Sequence, residues 1–542
     1  MYYKLQMPKS RAKSLILILS ILFATSPVGW GAEAPRIVEK NGRHALMVDG
    51  APFLVLGAQI NNSSSWASTL PQVWPALKDM HANTVEAPVY WEQLEPSPGN
   101  FDFSTVDMLV QQSRQHHMHL VLLWFGTWKN GNMHYVPQWI KTDANKYPRV
   151  INQAGEPIDV LSANSRVNLE ADKHAFTALM HHLAEIDSSE HTIIFVQVEN
   201  ESGIIGSPRD FSPESNREFE GKVPADLLRA AAKSQGTWRE VFGADADELF
   251  QAYHQARYLN QVAEAGKREF NIPMYCNVWL SYPIAELPER QIGNPGIGWP
   301  SGGPTQRSLW LWKALVPAID VIGPDIYSDD LGFYTTVLNT YARPDNALWI
   351  PETGNSDAYA RFLFLALNYG AIGFSPFGVD RTGWTFSEGE GPKLHTENFV
   401  LLEPISREIA RLNFEGKLKA AVDASGQAEQ ELDFGKWKAS LRFGFPQPDG
   451  RHAPGTPDHT GRALVAQLGP DEFLVTGVDA SVAFHTEGRR PGIRMQILSA
   501  EEGTYENGTW KTSRLWNGDQ TDRGLHFRKH TKAVVKIHLG TF

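Results

Sequence analysis

Short apolar runs alternate with longer amphipathic stretches through the first three quarters of the chain. The apolar runs, which are candidate strands, lie at residues 53–58, 84–89, 120–125, 193–198, 274–279, 319–323, 348–351 and 371–376. The stretches between them, such as residues 104–116 and 173–186, repeat apolar side chains at helical spacing. Near-continuous apolar strands separated by helices are typical of a parallel sheet that is covered on both faces. Eight such units predict an α/β fold, a (β/α)8 TIM barrel over residues 35–413, rather than an open sheet.

The pattern changes after residue 413, where short stretches of alternating apolar and polar residues are separated by turn residues. Residues 463–468 and 473–478 form a predicted hairpin across Gly469-Pro470-Asp471. Asn507-Gly508 marks another turn, between Tyr505 and Trp510. This pattern predicts a smaller all-β accessory domain, a sandwich, over residues 414–542.

The N-terminal residues have the order of a secretory signal. Lys4, Lys9, Arg11 and Lys13 precede an apolar run at residues 15–24, and small residues follow up to Ala34. This run is shorter than the ~20 residues that a membrane-spanning helix needs. We expect a signal peptide over residues 1–32 and a periplasmic or secreted protein without a membrane segment in its mature form. An uncleaved membrane anchor is the alternative.

Composition narrows the possible partners. The formal net charge is -11 and the chain has no long basic run, which argues against a nucleic-acid partner. The single cysteine, Cys276, leaves an exported protein without an internal disulfide, as fits a bacterial periplasm or medium. The chain has 17 Trp, whose faces pack well on sugar rings, although burial in the core accounts for most such residues.

Two glutamates carry the strongest chemical signal. The fourth apolar run ends in Glu199-Asn200-Glu201, and the seventh ends at Glu352. Barrel strands present their C-terminal residues to the active site, so Glu201 and Glu352 are expected to face each other across the barrel mouth. Cleavage of a glycosidic bond needs one carboxyl group to protonate the leaving oxygen and another to stabilise the anomeric carbon. An isolated Asn-Glu pair would be explained equally well by helix capping, but two glutamates at strand ends predict a glycoside hydrolase.

Other candidate pocket residues follow from their positions at or beyond strand ends. Tyr327 is expected to hold Glu352 in place, and Tyr90, Trp128 and Trp279 are candidate sugar-stacking walls. For each of them a purely structural role is the alternative. The histidines at positions 116, 117, 119, 181 and 182 lack the spacing of a metal site, and no dinucleotide or phosphate-binding motif is present. We therefore expect a carbohydrate substrate and neither a metal nor a cofactor.

Three stretches of the barrel resemble motifs of one enzyme family. The segment Gln197-Val198-Glu199-Asn200-Glu201-Ser202-Gly203 is close to the family motif Gln-Val/Ile-Glu-Asn-Glu-Tyr-Gly. The segment from Asn83 to Phe103 is similar to its strand-two motif, and Gln138-Trp139-Ile140 to its Pro-x-Trp-Leu. On these motifs, about residues 40 to 390 resemble the β-galactosidases of glycoside hydrolase family 35, in the clan of retaining (β/α)8 glycosidases. The resemblance implies a retaining exo-β-galactosidase with Glu201 as acid/base, Glu352 as nucleophile and Asn200 as donor to the sugar 2-hydroxyl.

Two departures from that family bear on specificity. Leu94-Glu95-Pro96 is similar to the neighbouring family 42, and Phe125-Gly126-Thr127-Trp128 lacks the Glu that contacts galactose in family 35. The β-domain resembles that of a bacterial subgroup whose substrates include the galactose side chains of plant xyloglucan. The alternatives are another retaining β-glycosidase of the clan, an endo-acting glucanase or mannanase, or a non-catalytic sugar-binding protein.

Overall fold

The computed structural model describes residues 33–281, 293–425, 427, 429–444, 455–456, 458–486, 494–506, 508–522, 524–529 and 531–542. The predicted signal peptide, over residues 1–32, lies outside the described residues, as does Asn507 of the predicted turn. Within the described ranges, no helix combines the length and the apolar character that crossing a bilayer requires.

An antiparallel sheet of three short strands precedes the barrel, formed by β1 (Arg36–Lys40), β2 (Arg43–Val48) and β3 (Ala51–Phe53). The barrel strands and one hairpin follow in chain order: β4 (Val55–Gln59), β5 (Thr84–Tyr90), β6 (His119–Lys129), the hairpin β7 (Arg149–Ile151) and β8 (Pro157–Leu161), β9 (Ile193–Asn200), β10 (Met274–Trp279), β11 (Val321–Ile326), β12 (Trp349–Thr353) and β13 (Gly373–Pro376). The parallel strands close in the order β4-β5-β6-β9-β10-β11-β12-β13. Each of them overlaps one of the eight predicted apolar runs, so the predicted (β/α)8 barrel is confirmed.

Helices surround the barrel and fill its loops. They are α1 (Leu70–Asp79), α2 (Trp91–Leu94), α3 (Ser104–Gln115), α4 (Gln138–Lys141), α5 (Arg166–Asp187), α6 (Pro213–Glu220), α7 (Ala225–Ala231), α8 (Trp238–Phe242), α9 (Ala246–Glu269), α10 (Leu309–Leu315), α11 (Leu331–Tyr341), α12 (Phe362–Asn368), α13 (Lys393–Leu402) and α14 (Ser406–Phe414). Local signals fix several of their starts: the Ser165 side chain caps α5, and Thr237 with Glu240 forms a capping box on α8.

The C-terminal part of the described chain is all-β, as predicted. Its strands are β14 (Leu418–Val422), β15 (Gln430–Phe434), β16 (Trp437–Phe443), β17 (Arg462–Gly469), β18 (Glu472–Val478), β19 (Ala480–Thr486), β20 (Met495–Glu506), β21 (Thr509–Leu515), β22 (Leu525–Phe527) and β23 (Val534–Thr541). They form a six-stranded and a four-stranded sheet. The predicted hairpin is the pair β17 and β18, and Tyr505 pairs with Trp510 across the second predicted turn. A core that includes Trp437, Leu441, Val475 and Ile537 lies between the two sheets.

One buried cluster indicates which end of the barrel the N-terminal sheet covers. Leu46, Val48 and Phe53 of the N-terminal sheet share a buried cluster with Val55 and Val321, at the beginnings of barrel strands. The N-terminal sheet therefore covers the end of the barrel where the strands begin. The opposite end, where the strands finish, is left for the active site.

Candidate active site

A pocket of about 260 Å³ opens at the end of the barrel where the strands finish. Its walls come from the ends of the strands and the loops that follow them: Asn62, Lys129, Asn130, Glu201, Trp279, Leu280, Asp325, Tyr327, Phe333, Glu352 and Phe377. Both glutamates that the sequence singled out line this pocket. Because the lining residues come from many strands, the closed barrel brings together side chains that are far apart in sequence.

Glu201 follows directly after β9, at a sharp turn of the backbone. Both Glu199 and Glu201 adopt left-handed conformations, with φ angles of 63° and 42°. Such angles are uncommon for residues other than glycine, and they cluster at functional sites. The turn separates the two side chains: Glu201 lines the pocket, whereas Glu199 accepts hydrogen bonds from the backbone N–H groups of Thr127 and Trp128.

A buried carboxyl pair beneath the pocket supports the end of β6. Glu199 is hydrogen-bonded to Asp172 of α5, and burial raises the pKa of both groups. Asp172 also accepts hydrogen bonds from Trp124 Nε1 at 3.0 Å and Thr127 Oγ1 at 2.8 Å. Gly126 is needed there, because a Cβ at this position would lie 2.6 Å from Glu199 Oε1. This network therefore fixes the backbone that carries Lys129 to the pocket wall.

Glu352 is held by two donors, one on each carboxylate oxygen. Gln59 Nε2, at the end of β4, donates to Oε2 at 2.9 Å, and the Tyr327 hydroxyl donates to Oε1 at 2.6 Å. The side chain is only 6% exposed. A donor on each oxygen fixes the direction of the carboxyl group, which a side chain that attacks the anomeric carbon requires.

The carboxyl groups of Glu201 and Glu352 approach each other closely, together with a third from Asp325. One oxygen from each of the three lies within 4.8 Å of the others. Burial, and then the charge of Glu352, raises the pKa of Glu201 to about 7. Among the described residues this trio is the one group of acidic, His or Cys side chains arranged closely enough to share a cation.

The separation of the two glutamates bears on the type of glycosidase reaction that the pocket could support. Retaining glycosidases hold their carboxyl groups ~5–5.5 Å apart, whereas inverting enzymes need ~6.5–9.5 Å to admit a water molecule. In this structure one oxygen of Glu201 lies within 4.8 Å of one oxygen of Glu352, and this proximity is compatible with the shorter of the two separations. A protonated Glu201 beside a hydrogen-bonded Glu352 can supply an acid and a nucleophile at the same bond.

The structure places the other candidate residues in different surroundings. Trp279 and Tyr327 line the pocket. Asn200 is fully buried next to Glu201, and its side-chain amide has no hydrogen-bond partner among the described residues. Its contact with a sugar hydroxyl stays a prediction.

Two aromatic candidates are corrected by the structure. Tyr90 is buried between Trp66 and Tyr135, with ring centroids at 6.3 and 5.0 Å, and does not line the pocket. Trp128 is fully buried and packs against Tyr258 of α9. The pairing register of β6 with β9 shifts between Trp124 and Lys129, and Lys129 instead of Trp128 lines the pocket.

Four polar residues of the site were absent from the predicted set: Gln59, Lys129, Asn277 and Asp325. Gln59 and Asp325 lie in the last two positions of β4 and β11. The strand-end rule that indicated Glu201 and Glu352 could therefore have indicated these residues as well. Lys129 depends on the register shift in β6, which leaves no mark in the hydrophobic pattern.

Comparison with known proteins gives two family matches. Residues 62–264 match the glycoside hydrolase family 42 model, described as β-galactosidase. Residues 395–528 match a domain of unknown function, DUF5597. The comparison with curated proteins found no match. The predicted resemblance to family 35 is not confirmed, since the matching model is that of family 42, to which the Leu94-Glu95-Pro96 segment is similar.

Several solved structures are similar to the chain. The β-galactosidase from Bacillus circulans sp. alkalophilus is 14% identical with a TM-score of 0.48, and the match covers 66% of this chain and 57% of that one. For the β-galactosidase from the psychrophilic Marinomonas ef1 the identity is 13%, the TM-score 0.47 and the coverage 66% and 61%. The catalytic domain of β-amylase from Paenibacillus polymyxa is 11% identical, with a TM-score of 0.46 and coverage of 63% and 96%. The chain thus spans about three fifths of the length of the two β-galactosidases.

The family 42 match and the site geometry agree on the class of enzyme. The match contains Glu201, and the closed barrel brings Glu352, which lies beyond the matched residues, to the same pocket. The structural similarities, with TM-scores below 0.5, add no weight to this assignment. The chain contains a glycoside hydrolase catalytic domain, as the paired glutamates predicted.

Proposed function

We propose that this protein is a retaining exo-β-galactosidase that removes terminal β-D-galactosyl residues from oligo- or polysaccharides. The observation that carries the proposal is the pair Glu201 and Glu352, whose carboxyl oxygens lie within 4.8 Å in one pocket. The family 42 match, described as β-galactosidase, supports galactose as the sugar. The pocket volume of about 260 Å³ lies just below the ~300–1,000 Å³ of ordinary ligand pockets, which supports one terminal sugar over an extended chain as the occupant.

The reaction proceeds in two displacements. In the first, an oxygen of Glu352 bonds to the anomeric carbon while Glu201 gives its proton to the glycosidic oxygen, and the bond between that oxygen and the sugar breaks. In the second, Glu201 takes a proton from water as the water oxygen attacks the same carbon, and Glu352 leaves as a carboxylate. Two inversions at one carbon retain the β configuration.

The hydrogen bonding of Glu352 and the pKa of Glu201 fit these roles. Glu352 receives hydrogen bonds on both oxygens, which suits a group that must attack as an anion. The pKa of Glu201 is raised to about 7, so that a large fraction of the molecules carry a proton on this group in neutral solution. Once the glycosyl ester forms, the charge of Glu352 is lost, the pKa of Glu201 falls, and Glu201 can act as a base.

The experiment that tests the proposal is a panel of aryl β-glycosides that differ only in the sugar. We expect the galactoside to have the highest kcat/KM, and the glucoside and mannoside to be poorer substrates. A matched control is E352Q, which keeps the size of the side chain but removes the nucleophile and should be inactive on every member. Turnover of the glucoside or mannoside with equal efficiency would contradict the galactosidase proposal while leaving a retaining glycosidase in place.

The natural substrate and location belong to the same proposal. The predicted signal peptide supports a periplasmic or secreted enzyme, whose substrates are then glycans outside the cytoplasm. Galactose-bearing side chains of plant xyloglucan are one candidate, on the predicted resemblance of the β-domain to that of a bacterial subgroup whose substrates include them. Release of galactose, with no shortening of the backbone, from xyloglucan oligosaccharides would support an exo enzyme. Cleavage of the backbone would instead support the endo-acting alternative.

A further inference from the structure

A third carboxyl group, that of Asp325, lies beside the two catalytic glutamates without a role in the scheme above. It is at the end of β11 and is 4% exposed. Its Oδ2 atom accepts a hydrogen bond from Asn277 Nδ2 at 2.7 Å. Its Oδ1 atom is buried and has no hydrogen-bond donor among the described residues. A buried carboxylate oxygen that accepts no hydrogen bond lowers the stability of the folded protein. This oxygen therefore requires a neighbouring group that carries a proton.

The position of that proton follows from the neighbouring groups. Both oxygens of Glu352 already accept hydrogen bonds from Gln59 and Tyr327. An oxygen of Glu201 lies within 4.8 Å of an oxygen of Asp325, and a side-chain hydrogen bond between the two carboxyl groups contributes to the pKa of each. Two ionised carboxylates have only acceptors, so they can form a hydrogen bond only if one of them is protonated. One proton therefore lies between Glu201 and Asp325.

The Asn277 side chain fixes the geometry of this pair. Its Oδ1 accepts a hydrogen bond from the backbone N–H of Glu201 at 2.8 Å, while its Nδ2 donates to Asp325. The two contacts require opposite ends of the amide, so its orientation is determined. One residue at β10 thus ties the acid/base to the third carboxyl group.

The charges that face Asp325 come from every neighbouring strand. Glu201 and Glu352 are the acidic neighbours and Lys129 is the cation, and the charge of Asp325 in turn raises the pKa of Tyr275 and Tyr327. Burial, and then the charges of Glu352 and Glu201, raises the pKa of Asp325 well above its ordinary value, against an opposing contribution from Lys129. A shared proton on this pair is consistent with that direction.

We infer that Asp325 is a positioning residue, which shares one proton with Glu201 and holds that proton where the glycosidic oxygen must receive it. The inference rests on the proposed function for its kinetic part. In the first displacement the shared proton leaves through Glu201 to the departing oxygen, and the pair becomes doubly ionised as Glu352 loses its charge in the ester. In the second, the proton from water returns to the pair through Glu201. A coupled pair releases its last proton at a higher pH than a single carboxyl group, so Asp325 extends activity to higher pH.

The variant D325N tests the inference with a change that preserves shape. The oxygen of the introduced asparagine can still accept a hydrogen bond from Asn277. Its amide N–H can donate a hydrogen bond to Glu201, and this contact favours the ionised form of Glu201. The alkaline limb of the pH dependence of kcat/KM reports the loss of the last proton from the pair. In D325N we expect the apparent pKa of this limb to fall by about 1–2 pH units. We also expect substrates with poor leaving groups to lose more activity than activated aryl galactosides. The matched control is D329N, which removes an exposed carboxyl group from the loop that follows β11 and should leave the pH profile unchanged.

A second measurement does not depend on activity. The infrared spectrum near neutral pH should contain the carbonyl stretch of a protonated carboxyl group that is lost in both D325N and E201Q, since either change removes one partner. An unchanged alkaline limb in D325N, or retention of that band in E201Q, would overturn the inference. So would loss of wild-type activity with a chelator, because the trio would then share a cation and not a proton. If the wild-type protein hydrolyses no galactoside, the proposed function fails, while the infrared measurement still decides the shared proton.

Discussion

The roles of Glu201 and Glu352 can be distinguished by the activities of variants that replace each of them, because only Glu352 forms a covalent bond to the sugar. We expect E201A to retain turnover of activated aryl galactosides, which need little protonation, and to lose substrates with poor leaving groups. Added azide should restore turnover in E201A and yield the β-galactosyl azide, since azide attacks the intermediate on Glu352 in place of water. The measurement is product analysis by proton NMR.

The companion variant E352A serves as the control for these roles. Without the nucleophile no covalent intermediate forms, so both kinds of substrate should be inactive. Azide that occupies the space of the missing side chain should give the α-product by a single displacement. An α-azide from E201A, or release of the α-anomer first by the wild-type enzyme, would mean that the assigned roles are wrong.

The sequence alone could locate the two glutamates, because strand ends of a barrel face its mouth whatever the surrounding packing. It could not decide the direction of the aromatic side chains. Trp128 lies next to Lys129 in sequence, yet it packs outward against Tyr258, since the register of β6 shifts there. Side-chain direction at such an irregularity depends on the partner strand, which a hydrophobic pattern does not contain.

At the scale of elements, the barrel strands were predictable because burial on both faces makes them continuously apolar. All residues of β5, β9 and β11 are buried. The N-terminal sheet lacks this signal, because β1 is largely exposed and β3 has three residues. Elements this short are defined by their tertiary contacts with the barrel end, which local sequence does not report.

Close packing between neighbouring barrel strands makes Gly373 of β13 a test at the scale of elements. A Cβ at this position would contact the Trp349 ring and lie 2.6 Å from Val55 Cβ, inside the barrel. We expect G373A to lower the free energy of unfolding by about 1–3 kcal/mol, because the neighbours must move to admit a methyl group.

The measurement is urea denaturation of G373A beside a matched control. Gly391 has an ordinary backbone conformation, and a Cβ there would lie 3.9 Å from the nearest atom, in the Arg381 side chain. The variant G391A therefore makes the same chemical change without a steric conflict and should unfold close to the wild-type midpoint. Equal midpoints for the two variants would show that the barrel interior has room at Gly373.

At the scale of the whole molecule, the β-domain and the barrel share one apolar core. Leu418, Ala420, Leu464 and Leu474 of the six-stranded sheet belong to the same buried cluster as the barrel helices, including Phe364 and Phe399. Three residues separate the end of α14 at Phe414 from the start of β14 at Leu418. Such a connection leaves little freedom between the two parts, and the shared core favours a single folding unit.

Polar contacts between the β-domain and the barrel are largely buried. Arg462 of β17 is fully buried, and its Nε donates to Asn398 Oδ1 of α13 at 2.5 Å. Arg361, just before α12, donates to the backbone carbonyls of Asp423 and His459. Without the β-domain, Asn398 would lose its charged partner, and the apolar faces of α12 to α14 would be exposed to water.

We therefore expect a fragment that ends at Phe414 to fold poorly and not to yield a free, active barrel. The buried apolar surface that the β-domain covers would be exposed, which favours aggregation over the native state. In the full-length protein the same coupling should give one cooperative unfolding transition in calorimetry, in which the barrel and the β-domain melt together. The comparison is soluble yield and kcat/KM on an aryl galactoside for the fragment and the full chain, expressed in parallel. A soluble fragment with full activity, or two separate transitions in the intact protein, would show that the barrel is stable alone and that the shared core contributes little to its folding.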